Sequence, residues 1–147
     1  MNLQYLTVAY LKNYRRRLNF ALDINYGDCY RYAYLAHQLH GGQLITVTKY
    51  AKGCEEEDYQ QETSHAFIKK NGKYYDSESP EGIDNWEGLG YFKREAKNSW
   101  GTWYYDVKEH CSSLSFKRYW TFKKHSSKAD KRLLLKLKEV SHELCLR

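Results

Sequence analysis

Nowhere in the 147 residues does an apolar run approach the ~20 residues that a membrane-spanning helix requires. The N-terminus also lacks the basic start, apolar stretch and small-residue cleavage site of a secretory leader. A soluble, unsecreted, cytoplasmic chain is therefore expected, in the host cytoplasm if the source is viral. Cysteine is sparse: Cys29, Cys54, Cys111 and Cys145 could pair in three ways, but a chain of this length can build a core without disulfides, so reduced thiols are expected. No two cysteines form a CxxC hook and no histidine pair with metal-ligand spacing lies beside one, which argues against a structural zinc site. No repeat, linker or low-complexity tract divides the chain, and a single domain over 1–147 is the expectation.

Tyrosine is abundant, with 15 copies. These amphipathic rings can be half buried and compensate for a modest aliphatic content before residue 110. Hydrophobic residues at 41% and charged residues at 29% suit a folded protein rather than a disordered one. The net charge of +6 is uneven: residues 1–110 carry 14 basic and 15 acidic side chains, residues 111–147 carry 10 and 3, so the tail alone is +7. Such a region can attract nucleic acid or an acidic protein, although a helix with a solvated basic face has the same sequence signature.

Leu3, Leu6, Ala9 or Tyr10, and Asn13 or Tyr14 fall at helical intervals in residues 2–18, with Arg15, Arg16 and Arg17 where cations suit a helix C-terminus. Asn25-Tyr26-Gly27-Asp28 supplies turn chemistry. Asp28 is placed to cap a second helix that runs through Cys29, Ala33, Leu35, Ala36 and Leu39 to Gly41-Gly42. Residues 43–50 are rich in β-branched types and predict a strand; the acidic run Glu55 to Glu62 predicts a loop. Residues 64–70 predict a second strand, Asn71-Gly72 a two-residue hairpin turn, and Lys73 to Asp76 the return strand. With that turn 70 faces 73, and stepping outward pairs 67 with 76 and 65 with 78. His65 and Asp76 then share a face as diagonal neighbours. Beyond Pro80-Glu81-Gly82 an irregular segment is expected, then strands around Trp103 to Val107 and Phe116 to Phe122. A C-terminal amphipathic helix follows, starting near Ser127 and Asp130 and burying Leu133, Leu134, Leu137, Val140 and Leu144. The fold class is α+β: N-terminal helices on an antiparallel sheet, plus the C-terminal helix.

A thiol becomes a nucleophile when held as thiolate, and the N-terminal end of a helix favours this by presenting unpaired N–H groups. Cys29 has that placement. An imidazole from another element can pair with the thiolate and later deliver a proton, and a carboxylate can fix its tautomer; His65 and Asp76 fit these roles. Taken singly, a Cys at a helix start is more often a small buried residue and a strand His a satisfied polar group. Their order and placement together carry the catalytic reading. His110-Cys111 is the best rival pair, but neighbours on a strand point to opposite faces. Cys54 adjoins an acidic run and Cys145 lies in the late helix, settings that do not favour a thiolate.

The residues Gly27-Asp28-Cys29 with Ala33 and Leu35, His65-Ala66-Phe67-Ile68 and Gly72-Lys73-Tyr74-Tyr75-Asp76-Ser77 resemble the papain-like cysteine peptidase superfamily, which includes transglutaminase-like and NlpC/P60-type enzymes and small phage or bacterial papain-like proteins. The likeness spans roughly residues 25–85. It implies a papain-like fold and cysteine-dependent acyl transfer on a protein or peptide amide, as a peptidase, deamidase or transglutaminase-like enzyme, with catalytic Cys29, His65 and Asp76 and no metal or organic cofactor. Two departures stand out. Tyr30-Arg31 replace the Ser-Gly that commonly follows the NlpC-type cysteine, and the papain-type Gln upstream is absent, leaving Asn25 or Tyr26 as side-chain donors to an oxyanion beside the Cys29 backbone N–H. Trp86, Tyr91 and Trp100 are candidates to line a substrate cleft. The alternative is a non-catalytic protein on the same scaffold, such as a phage or bacterial effector. It would bind nucleic acid or an acidic protein through Lys123, Lys124, Lys128, Lys131, Arg132 and Lys136.

Overall fold

The computed structural model describes residues 1–52, 59–98, 103–110, 116 and 128–145. Its order is α1 (Gln4–Asn13), α2 (Ala21–Ile24), α3 (Cys29–His40), β1 (Gln43–Lys52), β2 (Tyr59–Lys70), β3 (Lys73–Tyr75), a 3-10 turn (Trp86–Gly88), α4 (Gly90–Asn98), β4 (Trp103–His110) and α5 (Lys128–Cys145). This is an α+β architecture around one antiparallel sheet of order β3-β2-β1-β4. Among the described residues no helix is long and apolar enough to cross a membrane.

The first helix stops earlier than its pattern predicts. It buries Leu6, Thr7 and Tyr10, but the chain turns after Asn13, and Arg17 folds back to Asp28 rather than extending the helix. Gly27, at φ 123, makes a turn into α3 that a side chain would strain. At the other end of α3, Gly41 and Gly42 have positive φ and halt the helix as expected. Both central residues of the Asn71-Gly72 turn also have positive φ, 50 and 77, the handedness that suits a two-residue hairpin. It sets the register Lys70↔Lys73, Lys69↔Tyr74 and Ile68↔Tyr75.

Strand alternation gives the sheet two apolar faces. Leu44, Ala66, Ile68 and Tyr75 meet α1, α3 and α5 in one core. Ile45, Val47 and Phe67 meet Leu89, Tyr91 and Phe92 in a second core. The helix α5 turns Leu133 and Leu137 inward, each buried side chain contributing about 1.5–3 kcal/mol.

Three expectations need revision. The segment after Gly82 is not irregular throughout, because it forms α4. Asp76 lies just past the end of β3 instead of on the strand. Its Oδ1 accepts the backbone N–H groups of Glu78 and Ser79 at 3.0 and 2.9 Å, which turns the chain away from β2. The acidic loop expected from Glu55 to Glu62 is strand from Tyr59 onward, with 53–58 outside the described residues. The strand expected over Phe116 to Phe122 also lies outside them except for Phe116, whose backbone is helical and whose ring is fully buried.

Candidate active site

Because β3 is only three residues long while β2 continues past it, His65 lies on a stretch of β2 that β3 does not pair. The segment carrying α2 and the start of α3 is tied to that stretch. Tyr30 Oη donates to Ser64 Oγ at 2.9 Å, and Ser77 Oγ donates to the Ala21 carbonyl at 2.7 Å. Cys29, His65 and Asp76 are thereby drawn together, at 4%, 0% and 1% exposure.

Cys29 is the first residue of α3. Asp28 occupies the N-cap position, but its side chain makes no capping bond. Its carboxylate instead accepts from Tyr10 Oη at 2.7 Å and from both terminal nitrogens of Arg17 at 2.8 Å. This corrects the expected capping role and has a chemical effect. The Arg17 fork offsets a negative charge that would otherwise sit beside the thiol, and the first-turn N–H groups are not spent on the Asp28 side chain.

His65 Nε2 lies 3.0 Å from Asp76 Oδ2. An ionised carboxylate only accepts, so Nε2 carries the proton and Nδ1 holds the lone pair of the neutral ring. That Nδ1 is buried and has no hydrogen-bond partner among the described residues. Cys29 lies beside the ring and favours its protonated form. Burial pushes the imidazole's pKa down, but the bond to Asp76 and the neighbouring Cys29 outweigh it and carry the value up to about 9. The ring is stacked on Tyr91 at 4.5 Å between centroids and 16° between planes, with Phe92 edge-on at 5.6 Å.

Of the two side chains considered as oxyanion donors, Asn25 is turned elsewhere. Its Nδ2 donates to Asp76 Oδ2 at 3.3 Å and Glu78 Oε2 at 2.6 Å, which occupies both amide protons. It braces the Asp76 carboxylate and links it to Glu78. Tyr26 is 55% exposed and its hydroxyl accepts from Arg94 Nε at 2.9 Å, so its own proton remains to be donated. Tyr26, Gly27 and Asp28 line a cleft of about 410 Å³ with Arg17, Leu18, Asn19 and Asp23, directly before the cysteine in sequence.

The expected cleft residues divide. Tyr91 covers the face of His65, whereas Trp86 packs edge-on against Phe92 and Tyr105 in the second core, and Trp100 lies outside the described residues. Cys54 and Cys111 also lie outside them. The rival His110 is buried and bonds to Thr46 Oγ1 at 2.9 Å. Among the described residues no group of three or more His, Cys, Asp or Glu side chains is arranged to hold a metal ion. On α5, Lys131, Arg132 and Lys136 are exposed; Lys123 and Lys124 lie outside the described residues, and Lys128 is placed by its backbone alone.

Sequence reasoning missed Glu78, Arg94 and the bracing role of Asn25. Arg94 on α4 donates to both oxygens of Glu78 at 2.7 Å. No periodicity or short motif joins these positions, because each contact is tertiary. No family model, no curated protein and no solved structure matches this chain.

Proposed function

We propose that the chain is a papain-like cysteine enzyme that transfers acyl groups from a protein or peptide amide, with Cys29 as nucleophile, His65 as acid and base, and Asp76 as the group orienting His65. One observation carries the reading. The buried imidazole holds Asp76 on Nε2 and keeps Nδ1 unpartnered beside the only described cysteine that starts a helix. A buried polar atom without a partner costs about 1–3 kcal/mol, so a fold that leaves one there calls for an explanation, and accepting the Cys29 proton is one.

Proton transfer from Sγ to Nδ1 gives a thiolate-imidazolium pair. The thiolate attacks the carbonyl carbon, the C–N bond breaks, and the Nδ1 proton goes to the departing amine. Neutral His65 then takes a proton from water, giving a peptidase or deamidase, or from an amine, giving a transferase. That nucleophile releases the acyl group and Cys29 recovers its proton. The Cys29 backbone N–H at the helix start is the oxyanion donor in this scheme, with Tyr26 Oη the side-chain candidate.

The test is the pH dependence of Cys29 alkylation by iodoacetamide, read by peptide mass spectrometry in folded wild type and His65→Ala. Labelling that persists at about pH 6, well below the ordinary thiol value of ~8.5, and is lost in the variant supports the pair. Labelling that follows an ordinary thiol in both proteins, or appears only on unfolding, overturns it.

The second reading is a non-catalytic papain-like scaffold that binds nucleic acid or an acidic protein. It draws on the outward-facing Lys131, Arg132 and Lys136 of α5, opposite buried Leu133 and Leu137. Retention on DNA that falls steeply with salt and survives Cys29→Ala would favour it.

A further inference from the structure

The carboxylate of the triad is the inner end of a chain of bonds that reaches the surface. Asp76 Oδ2 receives both His65 Nε2 and Asn25 Nδ2, and Asn25 Nδ2 also reaches Glu78 Oε2. Glu78 in turn is gripped by Arg94 through two parallel bonds of 2.7 Å, while Arg94 Nε donates to Tyr26 Oη and the guanidinium lies 5.3 Å from that ring's centroid. All three guanidinium nitrogens are engaged, the planar arrangement that Arg supplies and Lys cannot. Residue 91 lies three positions before residue 94 on α4, so both side chains leave the same helix face. Tyr91 rests on the His65 ring while Arg94 holds Glu78. The helix therefore touches the triad twice, once through a stacked ring and once through a carboxylate and an amide.

We propose that Arg94 and Glu78 are positioning residues for the Cys29–His65–Asp76 site: the Arg94 fork fixes Glu78 so that Asn25 is turned toward Asp76, and it anchors α4 so that Tyr91 covers His65. The inference rests on reading that triad as catalytic. A pair at 31% and 19% side-chain exposure would otherwise be an ordinary surface ion pair with little influence on reactivity. Its connection to Asp76 through the buried Asn25 is what sets it apart.

The experiment measures Cys29 alkylation by iodoacetamide against pH, with a thermal midpoint for each protein, in wild type, Arg94→Gln, Glu78→Gln, the double variant and His65→Ala. Positioning predicts that both single variants slow labelling at about pH 6 by roughly fivefold or more, the scale of coupling inside one hydrogen-bonded network. It also predicts that the double variant is no slower than either single one. Electrostatics alone would move the two single profiles in opposite directions, since one change removes a positive and the other a negative charge. That outcome, or wild-type profiles with only a lowered thermal midpoint, or additive slowing, overturns the proposal. If Arg94→Gln does not fold, Arg94→Lys, which keeps the charge but not the fork, takes its place with an intermediate slowing expected and a wild-type profile counting against. A wild-type labelling profile in His65→Ala would remove the triad itself. Loss of labelling in His65→Ala with unaffected Arg94 and Glu78 variants would remove only the positioning role.

Discussion

The two faces of the sheet are built differently. On one, α1, α3 and α5 bury Leu3, Leu6, Ile24, Leu35 and Ile68, and two pairs of polar side chains are bonded there: Thr7 Oγ1 with Tyr32 Oη at 2.7 Å, Tyr10 Oη with Asp28 at 2.7 Å. On the other, the nine-residue α4 and a 3-10 turn cover an aromatic cluster that encloses His65, whose Nδ1 has no partner, and Lys49, held 3.8 Å from Glu95. Cys29 packs in the first core and His65 in the second, so the candidate site lies on the seam between them, where β3 stops short. Apart from Cys29 at its edge, the thick face supplies apolar packing. The thin face carries groups that are costly to bury.

The sharpest way to break that contrast is to damage each face and compare stability with reactivity. Asp76→Ala removes the acceptor for His65, Asn25 and two backbone N–H groups, and should cost about 3–5 kcal/mol in urea unfolding, typical of stranding a buried charged partner. Cys29 labelling at about pH 6 should be lost with it. Leu35→Ala on the thick face should cost a similar 2–5 kcal/mol by leaving a cavity, yet leave the labelling profile of the folded protein unchanged. If Leu35→Ala shifts the profile as Asp76→Ala does, the division of labour between the faces is wrong.

A smaller effect concerns pH. The folded value of His65, about 9, lies above its unfolded value of 6.5, so its contribution to stability is fully present below about 6.5 and is lost as pH rises through about 9. The loss is at most roughly 3 kcal/mol. Unfolding free energy of wild type minus that of His65→Gln, followed from acid to alkaline pH, should fall over that window. A flat difference would show that the imidazole is not held protonated by its neighbours.

What the chain discloses without its structure follows from range. The Asn71-Gly72 turn and the register it imposes on 68–70 and 73–75 are local, and short-range sterics determine them. The expected pairs 67–76 and 65–78 do not form, and Asp76 reaches His65 from the turn that follows Tyr75. The placement of Cys29 at the start of α3 is equally local, fixed by Gly27 before it and the apolar periodicity after it. The use of Asp28 was not legible, since its partners Tyr10 and Arg17 lie 18 and 11 residues away and outcompete a cap made within the helix. Nor was α4. Its apolar side is only Tyr91, Phe92 and Ala96 in nine residues, too short a run to stand out from a loop, and it meets the site through Tyr91 on His65 and Arg94 on Glu78, 26 and 16 residues upstream. Periodicity finds elements that bury a stripe, and it passes over a short helix held by two aromatic rings and an ion pair.

The smallest expected effect tests whether the basic surface of α5 belongs to this division at all. Lys131 and Lys136 are exposed, whereas Leu133 and Leu137 between and beside them are buried, so neither lysine is part of the apolar side that packs the helix on the core. Exchanging both lysines for Glu should therefore change unfolding free energy by no more than about 0.5 kcal/mol and leave Cys29 labelling untouched. The same double variant lowers the local positive charge by four units, enough to abolish salt-dependent retention on DNA if these residues are contacts. Retention lost with labelling intact would assign the basic helix a binding role separate from the seam. Labelling altered by so remote a charge change would mean that α5, through its packing on α1 and α3, helps to set the position of Cys29.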